Sequence, residues 1–413
     1  YAREKGIEFI ICDHHLPGAA LPQATAVLDP KRDDCPYPNK ELPGCGIGFK
    51  LVQAYCLKNN IPFAEIEGYL DLVAIAIGAD IVPITGENRV LVFYGLKKIN
   101  EQRRQGIKAI IEISGLKKEL NVTDVVFVIG PRINAAGRIE SGRQAVELLI
   151  SNCPDNAALK STGINEHNLT RKDLDKTITE QALELIARDE LFVNRKSAVL
   201  YHPEWHKGII GIVASRIADK FCRPTIILTR SDGKVAGSAR SVKGFDVYNA
   251  IERCSDLLEQ FGGHTFAAGL TMKPEAVDEF RSRFEEAVNE TIDEKCLIPS
   301  IEIDSELNFS DITEKFFNVL KQFEPFGPGN LSPIFQSGGV KERGYAKVVG
   351  KNHLKVSLYQ NNRNRLLHGI AFGMGEIFQQ INPQKEMEVC YHVEETFFMD
   401  KKSLQLNIKD IRI

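Results

Sequence analysis

Asp13-His14-His15 stands directly after the apolar run Phe9-Ile10-Ile11-Cys12. A carboxylate and two imidazoles where a buried strand should end suit a divalent cation and a phosphate, and in open α/β sheets ligands collect at the carboxyl ends of the strands. A His pair after a strand is more often a polar turn than a site, so the triplet draws its weight from its company. The second candidate is Asp80, inside Ala74-Ile75-Ala76-Ile77-Gly78-Ala79-Asp80-Ile81-Val82-Pro83. A carboxylate flanked so tightly by apolar residues costs several kcal/mol to bury unpaired, which calls for a metal, a cation or water beside it. Asp71, earlier in the same segment, is expected to face solvent or to cap a helix. An Asp and a His with further oxygen ligands suit Mn²⁺ or Mg²⁺ better than a soft metal. Two such ions clamp the attacking and leaving oxygens of a phosphodiester and acidify the nucleophilic water.

Other residues point to phosphate. Gly130-Pro131-Arg132-Ile133-Asn134-Ala135-Ala136-Gly137-Arg138 sets two arginines among small residues, which permits close backbone approach and charge-assisted bonds. As an isolated motif it reads equally as a turn followed by a helix with an exposed Arg. His206-Lys207-Gly208 is expected to open a helix bearing Ser215 and Arg216, Gly237-Ser238-Ala239-Arg240 to end a strand, and Gly262-Gly263-His264 to join two elements through a glycine loop. Paired glycines, a His and a helix start form a phosphate cradle. Near the C-terminus Lys341, Arg343, Lys347, Lys351, His353, Lys355, Arg363 and Arg365 interleave with Tyr345 and Tyr359. Such a charged groove with stacking platforms suits single-stranded nucleic acid, and a solvated face is the plain alternative.

These groups need elements to hold them. Tyr1 to Gly6 reads as a last helical turn with a Gly stop, followed by a strand from Ile7 to Cys12, so the chain is expected to start inside a domain. A Pro-rich loop, a helix opened by Gly44-Cys45-Gly46 and running to about Lys58, and the apolar segment Tyr69 to Ile84 complete an α/β pattern over residues 1–150. In the stretch that follows, 151–192, Asn165 to Lys176 is highly charged and lacks Pro, and Leu and Ile recur every three or four residues. The pattern predicts either one helix on the order of 50 Å long or two shorter ones. A second α/β unit is expected over 193–297, with strands at Ala198 to Tyr201, Thr225 to Leu228 and Val235 to Ala239. Its helices are expected at Ile209 to Phe221 and Val247 to Phe261. From 298 to 413 short strands separated by turn signals suggest a small barrel: Ile301 to Phe309, Val340 to Val349, Leu354 to Tyr359, Leu366 to Phe372, Met387 to Phe398 and Leu404 to Ile413.

A length of 413 residues suits two to four domains. The net charge of −3 excludes a uniformly basic coat, so any polyanion site must be a local groove. Nine cysteines, odd in number and without a C-x-x-C pair, argue for reduced thiols in a cytoplasmic protein. No charge-free apolar stretch reaches the ~18 residues of a membrane span.

In this order the motifs resemble the RecJ exonuclease family of the DHH phosphoesterase superfamily. They are Ile11 to His15, Asp71 to Pro83, Pro131 to Arg138, His206 to Arg216, Gly237 to Arg240, Gly262 to His264 and Phe326-Gly327-Pro328-Gly329-Asn330. The resemblance implies an α/β fold: part of a DHH-type parallel-sheet domain, a connecting helix, a DHH-associated α/β domain and a C-terminal OB-like barrel. It implies a metal-dependent 5′ to 3′ exonuclease on single-stranded DNA with a 5′ end, acting in recombination and repair. His14 and Asp80 would ligate Mn²⁺ or Mg²⁺, Asp13 would orient or bridge the metals, and His15 would contact the scissile phosphate. Arg132 or Arg138, with Asn134 between them, would join Arg216, Ser238, Arg240 and His264 in holding phosphates. Family members carry two further acidic motifs before the Asp-His-His strand, so the metal site is expected to be incomplete here and the polypeptide alone inactive or nearly so. Two other readings stay open: a phosphodiesterase of short oligonucleotides or cyclic dinucleotides, against which the barrel counts, and a non-catalytic DNA-binding relative, against which the intact Asp13, His14, His15 and Asp80 count.

Overall fold

The computed structural model describes residues 1–18, 20–360, 365–398 and 401–413. Arg363 lies outside the described residues. Two compact units emerge: Tyr1–Val82 with Tyr94–Ser300, and Pro83–Phe93 with Ile301–Ile413.

In the first unit, β1 (Ile10–Cys12) and β2 (Ala26–Leu28) pair in parallel, with Ile11 opposite Val27. Helix Gly44–Lys58 follows, and the apolar run after it is helix Leu70–Ala79. This helix is hydrophobic nearly all round, as a fully packed helix must be, and Leu70, Val73, Ala74, Ile75 and Ile77 are all buried. Asp71 is buried as well and accepts from the Arg104 guanidinium at 2.9 and 3.1 Å. It does not face solvent, because Arg104 on a distant stretch of chain folds back over it, and its Oδ1 also accepts the Leu72 amide at 2.6 Å in the first turn of the helix.

Residues Pro154–Ala187 form one helix of 34 residues, about 50 Å long. A proline in its first turn fits the missing donor there, and no second proline breaks the ladder. Its inward stripe runs Ala157, Ser161, Ile164, Asn168, Asp175, Ile178, Ala182 and Ile186. Ala157 and Ile164 belong to a core with Ile107, Ile110 and Ile129, while Ile178 and Ala182 belong to another with Trp205, Ile209 and Val213. One continuous stripe therefore serves two cores, and a single helix results.

The second core backs a five-stranded sheet of order β3-β4-β5-β7-β6. Its strands are β3 (Ala198–Tyr201), β4 (Thr225–Ser231), β5 (Lys234–Arg240), β6 (Leu258–His264) and β7 (Ala267–Met272). β3 and β4 are parallel and the rest antiparallel. The helix expected over Val247 to Phe261 stops at Glu252, and Gly262-Gly263-His264 ends a strand instead of forming a loop. Pairing explains the change: Gly263 lies opposite Ala268, and a Cβ there would run into the Ala267 carbonyl. Only glycine lets the two backbones come this close.

In the second unit β8 (Ser305–Glu306), β9 (Phe335–Glu342), β10 (Lys347–Val349), β11 (His353–Gln360), β12 (Leu366–Ala371), β13 (Met387–Phe398) and β14 (Lys401–Arg412) share one mixed sheet. Pairings β9–β11, β11–β12, β12–β14, β14–β13 and β13–β9 close a ring around Val340, Leu358, Tyr391 and Leu406. The strand expected over Val340 to Val349 divides at Glu342. That buried carboxylate accepts amide hydrogens from Gly344, Tyr345 and Ser357, which turns the chain sharply. The strand expected over Ile301 to Phe309 shortens to Ser305–Glu306, which pairs with β9 over two residues.

Candidate metal centre and phosphate cavity

β1 ends at Cys12, and the following Asp13 folds back on its own turn. Its Oδ1 accepts from the His14 amide at 2.8 Å and the His15 amide at 3.3 Å, and lies 2.7 Å from His15 Nδ1. Burial pushes the Asp13 carboxyl up, but the bonds from the His15 ring and the two amides outweigh it and hold it below its usual range. Asp13 therefore shapes the turn and sets the His15 ring. Gly44, the first residue of its helix, abuts the triplet: a Cβ there would lie 3.6 Å from Cys12 O and 4.0 Å from His14 Cδ2. The positive end of that helix favours negative charge nearby.

Asp80 is the residue after helix Leu70–Ala79, so the helix ends by presenting a carboxylate. It is not buried: its side chain is 49% exposed, and Oδ2 stands 3.0 Å from His14 Nε2. The donor set fits a hard octahedral cation, because ligand atoms at ~2.1 Å and at right angles would stand about 3 Å apart. Among the described residues no group of three or more His, Cys, Asp or Glu side chains converges on one point. The Asn134 side chain donates to Ala79 O at 3.4 Å, beside Asp80.

A separate cavity of about 790 Å³ opens in the same unit. Arg138, Lys207, Ser238 and Arg240 line it, with the backbone of Gly208, Gly211 and Gly262. Arg138 Nη1 donates to Gly208 O at 3.1 Å, and Arg240 Nη1 to Ser238 Oγ at 3.0 Å and Ala239 O at 2.7 Å. Neither arginine has a carboxylate partner among the described residues. Burial and then the like charge of Arg138 lower the Arg240 guanidinium from its ordinary value. Positive charge in excess, half-desolvated and beside open space, is an anion site.

β6 connects the two poles. Gln260, Phe261 and Gly262 line the cavity, and two residues on His264 stacks against His15, with ring centroids 6.5 Å apart and planes at 10°. His264 is thus brought to the Asp-His-His turn, away from the arginines. Burial first, then the positive potential of Lys31, His15 and His14, lower its pKa. Two expected phosphate contacts turn elsewhere. Arg132 is half-buried and donates to Asn165 Oδ1 and Val128 O, so Arg138 is the arginine of its motif that reaches the cavity. Arg216 Nη2 bonds to the buried Asp175 at 2.7 Å and does not line the cavity. Lys207, named in the His-Lys-Gly motif, lines the cavity as expected, and Gln260 lines it too although no signal in the sequence pointed to it.

In the C-terminal unit the expected basic residues are partly committed. Lys341 pairs with Glu386 at 3.3 Å, and His353 Nδ1 accepts from the Gly373 amide. Tyr345 is exposed, and so is Phe372, whose ring meets His353 edge-on at 5.2 Å.

Comparison with known proteins follows this division. Residues 1–77 match the DHH family N-terminal domain, 194–290 the DHHA1 domain and 303–410 the RecJ OB domain. The single-stranded-DNA-specific exonuclease RecJ of Bacillus subtilis is 35% identical over 416 residues, which is all of this chain and 52% of that protein. The chain thus spans about half the length of this relative. The RecJ of Salmonella typhimurium is also 35% identical, over all of this chain and 74% of its own length. The structure of Thermus thermophilus RecJ in complex with Mn²⁺ superposes with a TM-score of 0.85 at 28% identity, covering 99% of this chain and 59% of that one. Similarity along the whole of this chain, three successive domain matches and one shared fold make it a member of the RecJ family.

Proposed function

We propose that this chain carries the metal and 5′-phosphate sites of a metal-dependent 5′ to 3′ exonuclease that hydrolyses single-stranded DNA in recombination and repair. The observation that carries the reading is the joining of two poles by one strand. β6 runs from a cavity whose Arg138 and Arg240 have no carboxylate partner among the described residues to a His264 stacked on His15, beside the His14–Asp80 pair. His14 and Asp80 would hold Mn²⁺ or Mg²⁺, the metals held by the Thermus thermophilus RecJ structures. A bound metal supplies Lewis-acid stabilisation and a water acidic enough to attack. Asp13 keeps His15 oriented, and His15 with His264 offers donors to the scissile phosphate. Arg138, Ser238 and Arg240 hold the terminal 5′-phosphate, which fixes the register of the cut from the strand end. Arg132, Asn134 and Arg216 act through their neighbours, outside the contact set.

The RecJ OB domain, with Lys347 paired across from Lys355 and an exposed Tyr345, supports a longer single strand over a dinucleotide as substrate. We take residues 1–150, 151–192, 193–297 and 298–413 as the working division into domains. The nine free cysteines favour a reducing, cytoplasmic setting, and among the described residues no helix is long and apolar enough to cross a membrane. With only His14 and Asp80 converging among the described residues, the chain supplies part of a two-metal site, and we infer turnover by it far below that of its longer relatives. Equal turnover would overturn that inference.

Incubation with Mn²⁺ and a 3′-labelled, 5′-phosphorylated single strand tests the function. Stepwise shortening from the 5′ end, absent in His14→Ala, is expected. Shortening from the 3′ end, or equal attack on internal duplex, would refute it.

A further inference from the structure

Asp80 is followed by a backbone outlier. Ile81 has φ +57°, in the left-handed region, and its side chain is largely exposed. A β-branched residue is among the least suited to that conformation, because its Cβ crowds the carbonyl that follows. No packing need explains an isoleucine here. Glycine would adopt the same backbone freely.

Both sides of the outlier are anchored. Before it, the Asp80 amide donates to Ala76 O and the Ile81 amide to Gly78 O, and Ala79 packs against Gly130, where a Cβ would come within 3.1 Å. After it, Val82 and Ile84 are buried and the Ile84 amide donates to Pro328 O at 2.6 Å. Pro328 belongs to the Phe326-Gly327-Pro328-Gly329-Asn330 motif. Gly327 leaves room for the Ile84 side chain, and Gly329, at φ +74°, would place a Cβ 2.9 Å from Thr85. Asn330 closes that loop on the Phe323 and Pro325 carbonyls, and Arg89 donates to the carbonyls of Gln322, Phe323 and Glu324. A strained residue persists where its surroundings over-determine it, and such residues gather where a group must be held in place.

We propose that Ile81 is a positioning residue: its stiff left-handed backbone, held between the helix end before it and the buried Val82 after it, fixes Asp80 toward His14. The proposal rests on the metal reading of His14 and Asp80. A stiff side chain at a strained φ costs stability and restricts the carboxylate. The two effects part company in a variant that relaxes the backbone.

The chain, with selectively labelled histidines, would be titrated with Mn²⁺ alone while broadening of the His14 ring resonance is followed and thermal unfolding is recorded in parallel. Ile81→Gly should unfold at an equal or higher temperature, yet need roughly two- to fivefold more Mn²⁺ for half-broadening. Ile81→Val, which keeps the β-branch, should match the parent in both. An unchanged Mn²⁺ midpoint in Ile81→Gly overturns the proposal, as does a weaker midpoint accompanied by lower stability. Absence of His14 broadening in the parent, or an Asp80→Ala variant that titrates like the parent, removes the metal reading and the proposal with it.

Discussion

Gly211→Ala would perturb the phosphate cavity without removing any charge. Gly211 is the second residue of helix Ile210–Phe221, and a Cβ built on it lies 3.0 Å from both Arg240 Nη2 and Ser238 Oγ. Both side chains must retreat by a few tenths of an ångström, and they move together because Arg240 Nη1 donates to Ser238 Oγ. The fold should tolerate this, since the atoms that yield are side-chain ends and alanine gains up to ~1 kcal/mol of helix propensity over glycine. Binding should not. Hydrogen bonds to charged groups contribute about 1.5–3 kcal/mol, and mis-setting this pair should lose about 1–2 kcal/mol, roughly 5- to 30-fold in affinity. Fluorescence anisotropy with paired oligonucleotides that differ only in a 5′-phosphate or 5′-hydroxyl would measure it. The phosphorylated strand should weaken and the hydroxyl strand stay within about twofold. Equal loss on both strands, or no loss on the phosphorylated one, would refute the assignment of the cavity to a terminal phosphate.

Asp71→Asn leaves Arg104 facing a neutral partner in a mostly buried site, so denaturant unfolding should show a loss of about 3 kcal/mol; a loss under ~1 kcal/mol would mean the pair is solvent-screened. Asp80→Asn and His14→Ala should each bring the chain's residual Mn²⁺-dependent 5′ nucleotide release to background, while binding of the 5′-phosphorylated strand stays near that of the parent. Joint loss of binding would place both residues in strand recognition instead. Burial pushes the Cys254 thiol up to about 11, so at pH 8 it is protonated and, being fully buried, should resist iodoacetamide. The exposed Cys153 should react, and labelling of Cys254 in the folded chain would contradict its burial.

Local patterns were legible in the sequence, and long-range pairings were not. Helix Ile210–Phe221 and strands β3, β4 and β5 followed from spacing and turn residues. β6 did not, because Tyr248, Ile251, Leu258 and Phe261 keep a helical spacing that only pairing with β7 overrides. Asp80 looked like a buried carboxylate because its neighbours are apolar, but the helix ends there and turns it outward. Arg216 read as a phosphate ligand because Asp175, its partner, lies on another helix 41 positions away. His264 shared the glycine-rich look of the phosphate loops, and the register of β6 carries it to His15. The residue types announced the chemistry, and the tertiary pairings decided which of them meet.

The most direct test is a crystal of the chain grown with Mn²⁺ and a 5′-phosphorylated oligonucleotide, with anomalous data at the manganese edge. The expected map has a manganese peak bound by His14 Nε2 and Asp80 Oδ2, the terminal phosphate against Arg138, Ser238 and Arg240, and the next linkage beside His264 and His15. A manganese peak away from His14 and Asp80, or a 5′-phosphate outside the arginine cavity, would contradict the union of metal and phosphate poles in one exonuclease site.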